Sequence, residues 1–414
     1  MYNDFDALTF IMAGGKGKRL YPLTKDRTKP AVPFGGIYRI IDFTLSNCLN
    51  SGFHRIHVLT QYRSSSLLFH IRKGWNIFDP QVGSYIDVVP AQQRINDSWY
   101  RGTADAIYQN LFLLRDERPQ YCMILAGDHI YKMNYQNLAK FYVEKGADFV
   151  LGVTRMPAEK SEEFGVCELD ADGRLINFSE KPSKPQTIPD DPHRIHASMG
   201  IYFTSAKLID EILTEEAKKE NGYDFGKDII PAIFKKFKVY AYDFNRYEKY
   251  GSYWRDVGKI DDYYNANMDL VKIIPEFNLY DRDWPIRTTY EQFPPAKTVY
   301  DGSFDPSRKG ESIQSLLSHG AVISGGKVIR SVISPGVRIN SFSLVEDSIL
   351  LNGVDIGRYA KIKRAIVDKG VQIPQHAEIG YNLLEDKKRF HVTENGIVVI
   401  AKGENIPSLK PSEY

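Results

Sequence analysis

Cysteine is scarce in this chain. Its 414 residues include three, Cys48, Cys122 and Cys167, far apart and with no Cys-x-x-Cys pair. That spacing excludes a disulfide framework and a cysteine zinc site, and it predicts reduced thiols in the core. Excess charge is nearly absent too, since 54 Lys and Arg oppose 52 Asp and Glu for a net +2. Such a balance excludes a polyelectrolyte face for nucleic acid, so a local basic cluster reads as a device for a small anion. No apolar run approaches the ~20 residues of a membrane span, and Met1 to Ala7 is acidic, with no basic region ahead of an apolar stretch. A cytoplasmic protein with no membrane partner is expected. Hydrophobic residues make up 43%, enough for a large core, and the length predicts two domains.

The densest signal runs from Leu8 to Pro30. An apolar run, Leu8 to Ala13, ends in Gly14, Gly15 and Gly17, which reads as a buried strand delivering a turn to the edge of a sheet. Glycines admit positive φ and close backbone approach, so consecutive N–H groups can point at one anion. Lys16, Lys18, Arg19 and Lys29 supply positive charge around it. The spacing is neither the dinucleotide fingerprint nor the P-loop, and it is read as a triphosphate cradle.

Beyond the loop, helical spacing is predicted over Ile37 to Asn50, Ser64 to Arg72, Asp105 to Arg115 and Tyr135 to Lys145. Strands are predicted over His54 to Thr60, Tyr121 to Ala126 and Phe149 to Thr154. The alternation indicates βαβ units and a parallel sheet with ligands at strand C-terminal ends, where Gly14 and Asp128 both fall. From Val166 to Phe203 short strands and a Pro-rich excursion suggest an insertion beside the pocket. Helices at Ala206 to Lys219 and Asp261 to Lys272 follow, and Pro275 to Pro306 reads as a linker.

The last hundred residues repeat with a period of 17. Segments starting at Ser331, Ser348 and Ala365 superimpose, with glycine at 336, 353 and 370 and a shorter copy from Ser315. Aliphatics recurring in short segments with a fixed glycine predict a β-helix whose coils bury their side chains against their neighbours. Expected boundaries are residues 1–274 for an α/β, Rossmann-like catalytic domain, 275–310 for the linker and 311–414 for the β-helix.

Gly-Gly-x-Gly-x-Arg-Leu-x-Pro-Leu-Thr at 14–24, followed by Lys29-Pro-Ala31, resembles the signature of sugar-1-phosphate nucleotidylyltransferases. Within them the match is nearest to the glucose-1-phosphate adenylyltransferase (ADP-glucose pyrophosphorylase) family of bacterial type. Lys29-Pro-Ala-Val-Pro-Phe-Gly-Gly, Arg39 to Cys48, Pro90 to Arg94, Trp99 to Asp105, Tyr253 to Gly258 and the Asp281 to Arg287 segment carry that resemblance, together with the repeat. It implies a left-handed β-helix, a homotetramer, ATP and glucose 1-phosphate as substrates, a role in glycogen synthesis and allosteric control by metabolite effectors.

Nucleotidyl transfer needs a hard cation beside phosphate oxygens, hence carboxylates at loop ends. Asp128, in Leu125-Ala-Gly-Asp-His-Ile-Tyr131, and Asp256, in Tyr253-Trp-Arg-Asp-Val-Gly258, look like the family's Mg²⁺ ligands. The attacking sugar phosphate is already anionic, so positioning and charge neutralisation carry the reaction. Arg19 and Lys29 are expected on the triphosphate. The resemblance places Lys181 on the sugar's phosphate and Glu180 on its hydroxyls, with Ser198, Gly200 and the segment Asp224 to Asp228 near the hexose. It places Gln93, Tyr100, Gly102 and Thr103 at the base and ribose.

One position departs from the family. Where well-studied bacterial relatives carry a lysine used for sugar-bisphosphate activation, this chain has Asp26. Arg27, Arg39, Lys388 and Arg389 are retained and predict an anion site. Two other readings stay open at this point: a relative using another nucleoside triphosphate, and a catalytically silent regulatory subunit.

Overall fold

A computed structural model describes residues 5–92, 99–219, 222–251, 253–303 and 305–407. It divides into two compact units that interleave along the chain. One comprises residues 1–15, 43–254 and 284–286, and the other 16–42, 255–283 and 287–414.

The first unit is built on a nine-stranded sheet. Tyr121–Ala126, Ala7–Met12, Arg55–Thr60 and Tyr85–Pro90 lie side by side and parallel, as the alternating pattern predicts. The rest of the sheet is mixed, with Val239–Asp243 pairing parallel to Phe149–Pro157. Arg194–Ser205 inserts between Tyr121–Ala126 and Phe149–Pro157 and runs antiparallel to both, and Gly165–Leu169 and Leu175–Glu180 extend that side as a hairpin. Sequence order alone does not show this, because antiparallel neighbours need only a turn whereas parallel ones need a crossover. One face is filled by Leu8, Phe10, Ile124, Leu151 and Val153 against Ile107, Leu111, Leu114 and Ile209, at least 95% buried. All three cysteines are buried and free, as expected. The helix predicted from Asp105 to Arg115 is two, Thr103–Tyr108 and Leu111–Glu117, and the one predicted from Ile37 begins at Ile41. A short strand, Tyr38–Arg39, occupies the preceding residues and pairs with Pro33–Phe34.

The second unit holds the left-handed β-helix, with three parallel ladders in the expected register. Arg338, Asp355 and Gln372 align on one, Leu344, Lys361 and Glu378 on the next, and Val332, Ile349 and Ile366 on the third. Gly336, Gly353 and Gly370 have φ of +70°, +70° and +68°, the left-handed region that only glycine adopts without strain. The first strand is Lys297–Val299, paired with Val322–Ser324, so the coils start inside the stretch expected to be linker. Val398–Ile400 joins the third ladder beside Ala365–Val367. Segments 16–42 and 255–283 pack in this unit: Tyr263 Oη donates to the Pro33 carbonyl at 2.5 Å and Tyr264 Oη to the Asp347 carbonyl at 2.6 Å. Among the described residues no helix is long and apolar enough to cross a membrane.

Candidate active site

In the first unit Ala7–Met12 ends at Gly14 and Gly15. A Cβ on Gly14 would approach Gln61 Cβ at 3.2 Å, whereas Gly15 is exposed and has nothing within 4 Å. Gln61 Nε2 also donates to the Tyr100 carbonyl at 3.3 Å. Tyr100 is half-buried, and its hydroxyl accepts from Asn110 Nδ2 at 2.8 Å. Burial, opposed by that hydrogen bond, pushes its phenol up. Gln93 lies outside the described residues.

Gly102 and Thr103 are seated on the segment Tyr223 to Phe225. A Cβ at Gly102 would fall 2.1 Å from the Tyr223 carbonyl oxygen, so any side chain there would force the two segments apart. Thr103 Oγ1 donates to Asp224 Oδ2 at 3.2 Å and accepts from the Phe225 N–H at 3.0 Å. Arg101 adds a guanidinium 3.6 Å from the centre of the Tyr223 ring. The sequence gives no sign of this joint, since its halves lie more than a hundred residues apart.

Glu180 closes Leu175–Glu180 and sits where two glycines leave room. A Cβ on Gly226 would come within 2.4 Å of Glu180 Oε2, and one on Gly165 within 3.0 Å. Burial pushes the Glu180 carboxyl up and Asp224 adds to this, against the lowering effect of Lys181. Lys181 follows at φ +51°, a conformation costly for a side chain and common at functional sites. Its Nζ stands 3.6 Å from Glu180 Oε1 and is half exposed. Ser198 and Gly200 fall on a bulge, where pairing with Phe149–Pro157 skips from Ser198 to Tyr202. Gly200, at φ +66°, leaves room beside Ala126, the last residue of its strand. Asp128 follows that strand, about a third exposed, with Oδ1 3.5 Å from His129 Nε2.

In the second unit Gly17, at φ +57°, opens the turn Lys18–Leu20, and its carbonyl accepts from Thr24 Oγ1 at 2.9 Å. Lys29 is 6% exposed, and its ammonium meets Asp256 Oδ1 at 2.7 Å. A Cβ on Gly258 would touch both Asp256 carboxylate oxygens at 3.1 Å and Arg19 Nη2 at 3.2 Å. Arg19 and Lys29 thus converge on one small space with Asp256, more than two hundred residues later in the chain. Asp256 here, and Asp128 in the first unit, each offer hard carboxylate oxygens of the kind that a divalent cation takes.

The predicted anion cluster divides. Arg27 is buried, with Nη2 on the Asp368 carboxylate at 2.7 and 2.8 Å. Burial, with the Arg27 charge, lowers the Arg39 guanidinium despite Asp42. Lys388 and Arg389 instead pair within their own helix, Leu383–Arg389, with Glu385 at 2.7 Å and Asp386 at 3.0 Å. The further cation near Arg27 and Arg39 is Lys369, whose ammonium burial and those two arginines lower to about 8. Lys369 occupies the coil position held by Pro335 and Asn352, immediately before the repeat glycine. A cation in one copy of a repeat was the available signal.

Residues 8–273 match the nucleotidyl transferase family, and residues 294–400 match the GlmU-like C-terminal hexapeptide. Among curated relatives, a glucose-1-phosphate adenylyltransferase of Rhodopirellula baltica is 52% identical over 97% of this chain and 91% of its own length. One of Anaeromyxobacter sp. is 49% identical over 96% and 98%, and one of Methylococcus capsulatus 48% identical over 95% and 92%. The chain belongs to the glucose-1-phosphate adenylyltransferase family.

Proposed function

We propose that this protein transfers the adenylyl group of ATP to glucose 1-phosphate, giving ADP-glucose and pyrophosphate. The observation that carries the reading is identity of 48–52% across 95–97% of the chain with relatives bearing that name. In this reading a phosphate oxygen of the sugar phosphate attacks the α-phosphorus, a P–O bond forms there, and the bond to pyrophosphate breaks. Glu180 accepts hydrogen bonds from sugar hydroxyls, and Lys181 neutralises the sugar's phosphate. The backbone of Gly14, Gly15 and Gly17 cradles the triphosphate, while Arg19 and Lys29 stabilise charge on the departing pyrophosphate. No general base is assigned, because the nucleophile arrives ionised. Asp128 and Asp256 would hold the cation, Mg²⁺ in this reading, which when bound neutralises phosphate charge. Tyr100, Gly102 and Thr103, together with Gln93, serve the base and ribose.

Regulation follows the same logic. We place an effector anion at Arg39 and Lys369, with Arg27 held by Asp368, and not at Lys388 and Arg389. A supply of glucosyl donor for glycogen synthesis and a homotetrameric assembly complete the reading. The test is pyrophosphate release with ATP, UTP, dTTP and GTP against glucose 1-phosphate, with and without Mg²⁺. Turnover fastest with another nucleotide would move the assignment to a sister activity, and none with any would leave a regulatory subunit.

A further inference from the structure

Thr103 stands in the segment assigned to the nucleotide, yet its side chain is committed elsewhere. The hydroxyl has one hydrogen, which goes to Asp224 Oδ2 at 3.2 Å, and its oxygen accepts from the Phe225 N–H at 3.0 Å. No hydrogen remains for a ribose oxygen. The backbone beside it is bound to the same place. Helix Thr103–Tyr108 starts at Gly102, which offers no side chain to the first N–H groups of the helix. Such groups need outside acceptors, and the Tyr223 carbonyl is one, accepting from Ala104 N at 2.9 Å and Asp105 N at 3.2 Å.

What Thr103 holds is a turn that reaches Glu180. Asp224 Oδ1 accepts from the Gly226 and Lys227 N–H groups at 3.0 and 3.2 Å, so the turn's own amides hold one carboxylate oxygen and Thr103 holds the other. A Cβ on Gly226 would lie 2.4 Å from Glu180 Oε2 and 3.5 Å from Asp224 Oδ1. The two carboxylates therefore flank one backbone position. Phe225 is 1% exposed, and its ring stacks on Tyr202 with centroids 4.8 Å apart, just past the bulge that bears Ser198 and Gly200. We propose that Thr103 is a positioning residue for the glucosyl group: its hydroxyl fixes the Asp224 carboxylate and the Phe225 backbone, and with them the turn that walls Glu180. Without that hydroxyl the Asp224 side chain loses its second anchor, and the Phe225 N–H must find another acceptor, so the turn shifts against Glu180. The inference rests on the assignment of Glu180 and residues 224–228 to the sugar.

The test measures pyrophosphate release by the whole protein, with ATP and glucose 1-phosphate varied in turn. Thr103→Val keeps the volume and removes both hydrogen bonds. Its KM for glucose 1-phosphate is expected to rise about fivefold, the ratio of one ordinary hydrogen bond, and by more than its KM for ATP. Thr103→Ser keeps the hydroxyl and should return the sugar KM to near the native value. Arg101→Met loosens the same joint from its exposed side, by removing the guanidinium over the Tyr223 ring, and leaves no buried polar group behind. It should raise the sugar KM about twofold, and it serves as the test if the valine variant does not fold. An ATP KM that rises as much as the sugar KM or more in either variant, or a serine variant as impaired as the valine one, overturns the proposal. Gly226→Ala separates this inference from the reading beneath it, because it crowds Glu180 without touching Thr103. An unchanged sugar KM in that variant overturns the sugar assignment and the inference with it. A raised sugar KM there beside a native one in Thr103→Val overturns the inference alone.

Discussion

Glu180 shows how little the identity of a site residue says about its setting. Its carboxylate fits because residues 165 and 226 have no Cβ, and Gly226→Ala would put a methyl group 2.4 Å from Oε2. The obstructing atom ends a flexible side chain, so Glu180 should swing aside and the fold should survive. The expected result is a KM for glucose 1-phosphate raised about tenfold, with the ATP KM nearly unchanged, the pattern of lost ground-state binding. A larger effect on ATP would show that the joint between Thr103 and Asp224 transmits the shift. For Asp128→Asn, which keeps shape but removes a charge suited to the cation, turnover should drop by about a hundredfold or more at saturating Mg²⁺. Lys369 gives a pH prediction. Its folded value, about 8, lies below the ordinary 10.5, so burial disfavours the charged form and its destabilising effect is fully present below pH 8. An anion binding there needs the ammonium, so effector affinity should be highest below pH 8 and decline above it. Lys369→Gln should weaken binding and flatten the profile in calorimetric titrations. Arg27 and Arg39 stand out in the sequence because motifs carry them, whereas Lys369 does not, because a lone lysine in a repeat looks like any solvated charge.

At the scale of elements, the β-helix was readable and half of the central sheet was not. A 17-residue period fixes register directly, since each coil pairs only with its neighbours. The first residue of each copy has its own explanation. Ser331 Oγ donates to the Ile329 carbonyl and accepts from the Ser348 N–H, and Ser348 Oγ in turn donates to Glu346 and accepts from the Ala365 N–H at 3.2 Å. Each serine thus satisfies the next coil's backbone. Ser348→Ala should cost about 1–3 kcal/mol, the price of a buried N–H left without a partner, read as a lower denaturant midpoint. An unchanged midpoint would mean that the coil relaxes to find another acceptor. In the sheet, by contrast, the position of Arg194–Ser205 depends on contacts among strands distant in sequence. Alternating helices and strands predict parallel neighbours, and nothing local marks the long strand that reverses direction between two of them.

For the whole molecule, the interleaving of the units changes what the β-helix is expected to do. Its repeat carries aliphatics and glycine with no paired carboxylates, which argues for assembly and regulation. Yet the segments bearing Arg19, Lys29 and Asp256 belong to the same compact unit as the coils. Arg27 is buried on Asp368, and Asp261 accepts from Thr393 Oγ1 and Asn395 Nδ2 at 3.1 and 2.9 Å. Because Lys297–Val299 already belongs to the first coil, a clean truncation removes residues 294–414. That protein should lose turnover itself, along with effector response and any tetramer. Asp368→Asn separates the two effects. With every coil intact, the Arg27 charge would stay buried opposite a neutral amide, and removing one partner of a buried pair costs about 3–5 kcal/mol. The variant should melt at a lower temperature and respond weakly to effector anions, while the protein that remains folded turns over ATP and glucose 1-phosphate. A truncated protein releasing pyrophosphate at the native rate would show that residues 16–42 and 255–283 hold their places without the coils.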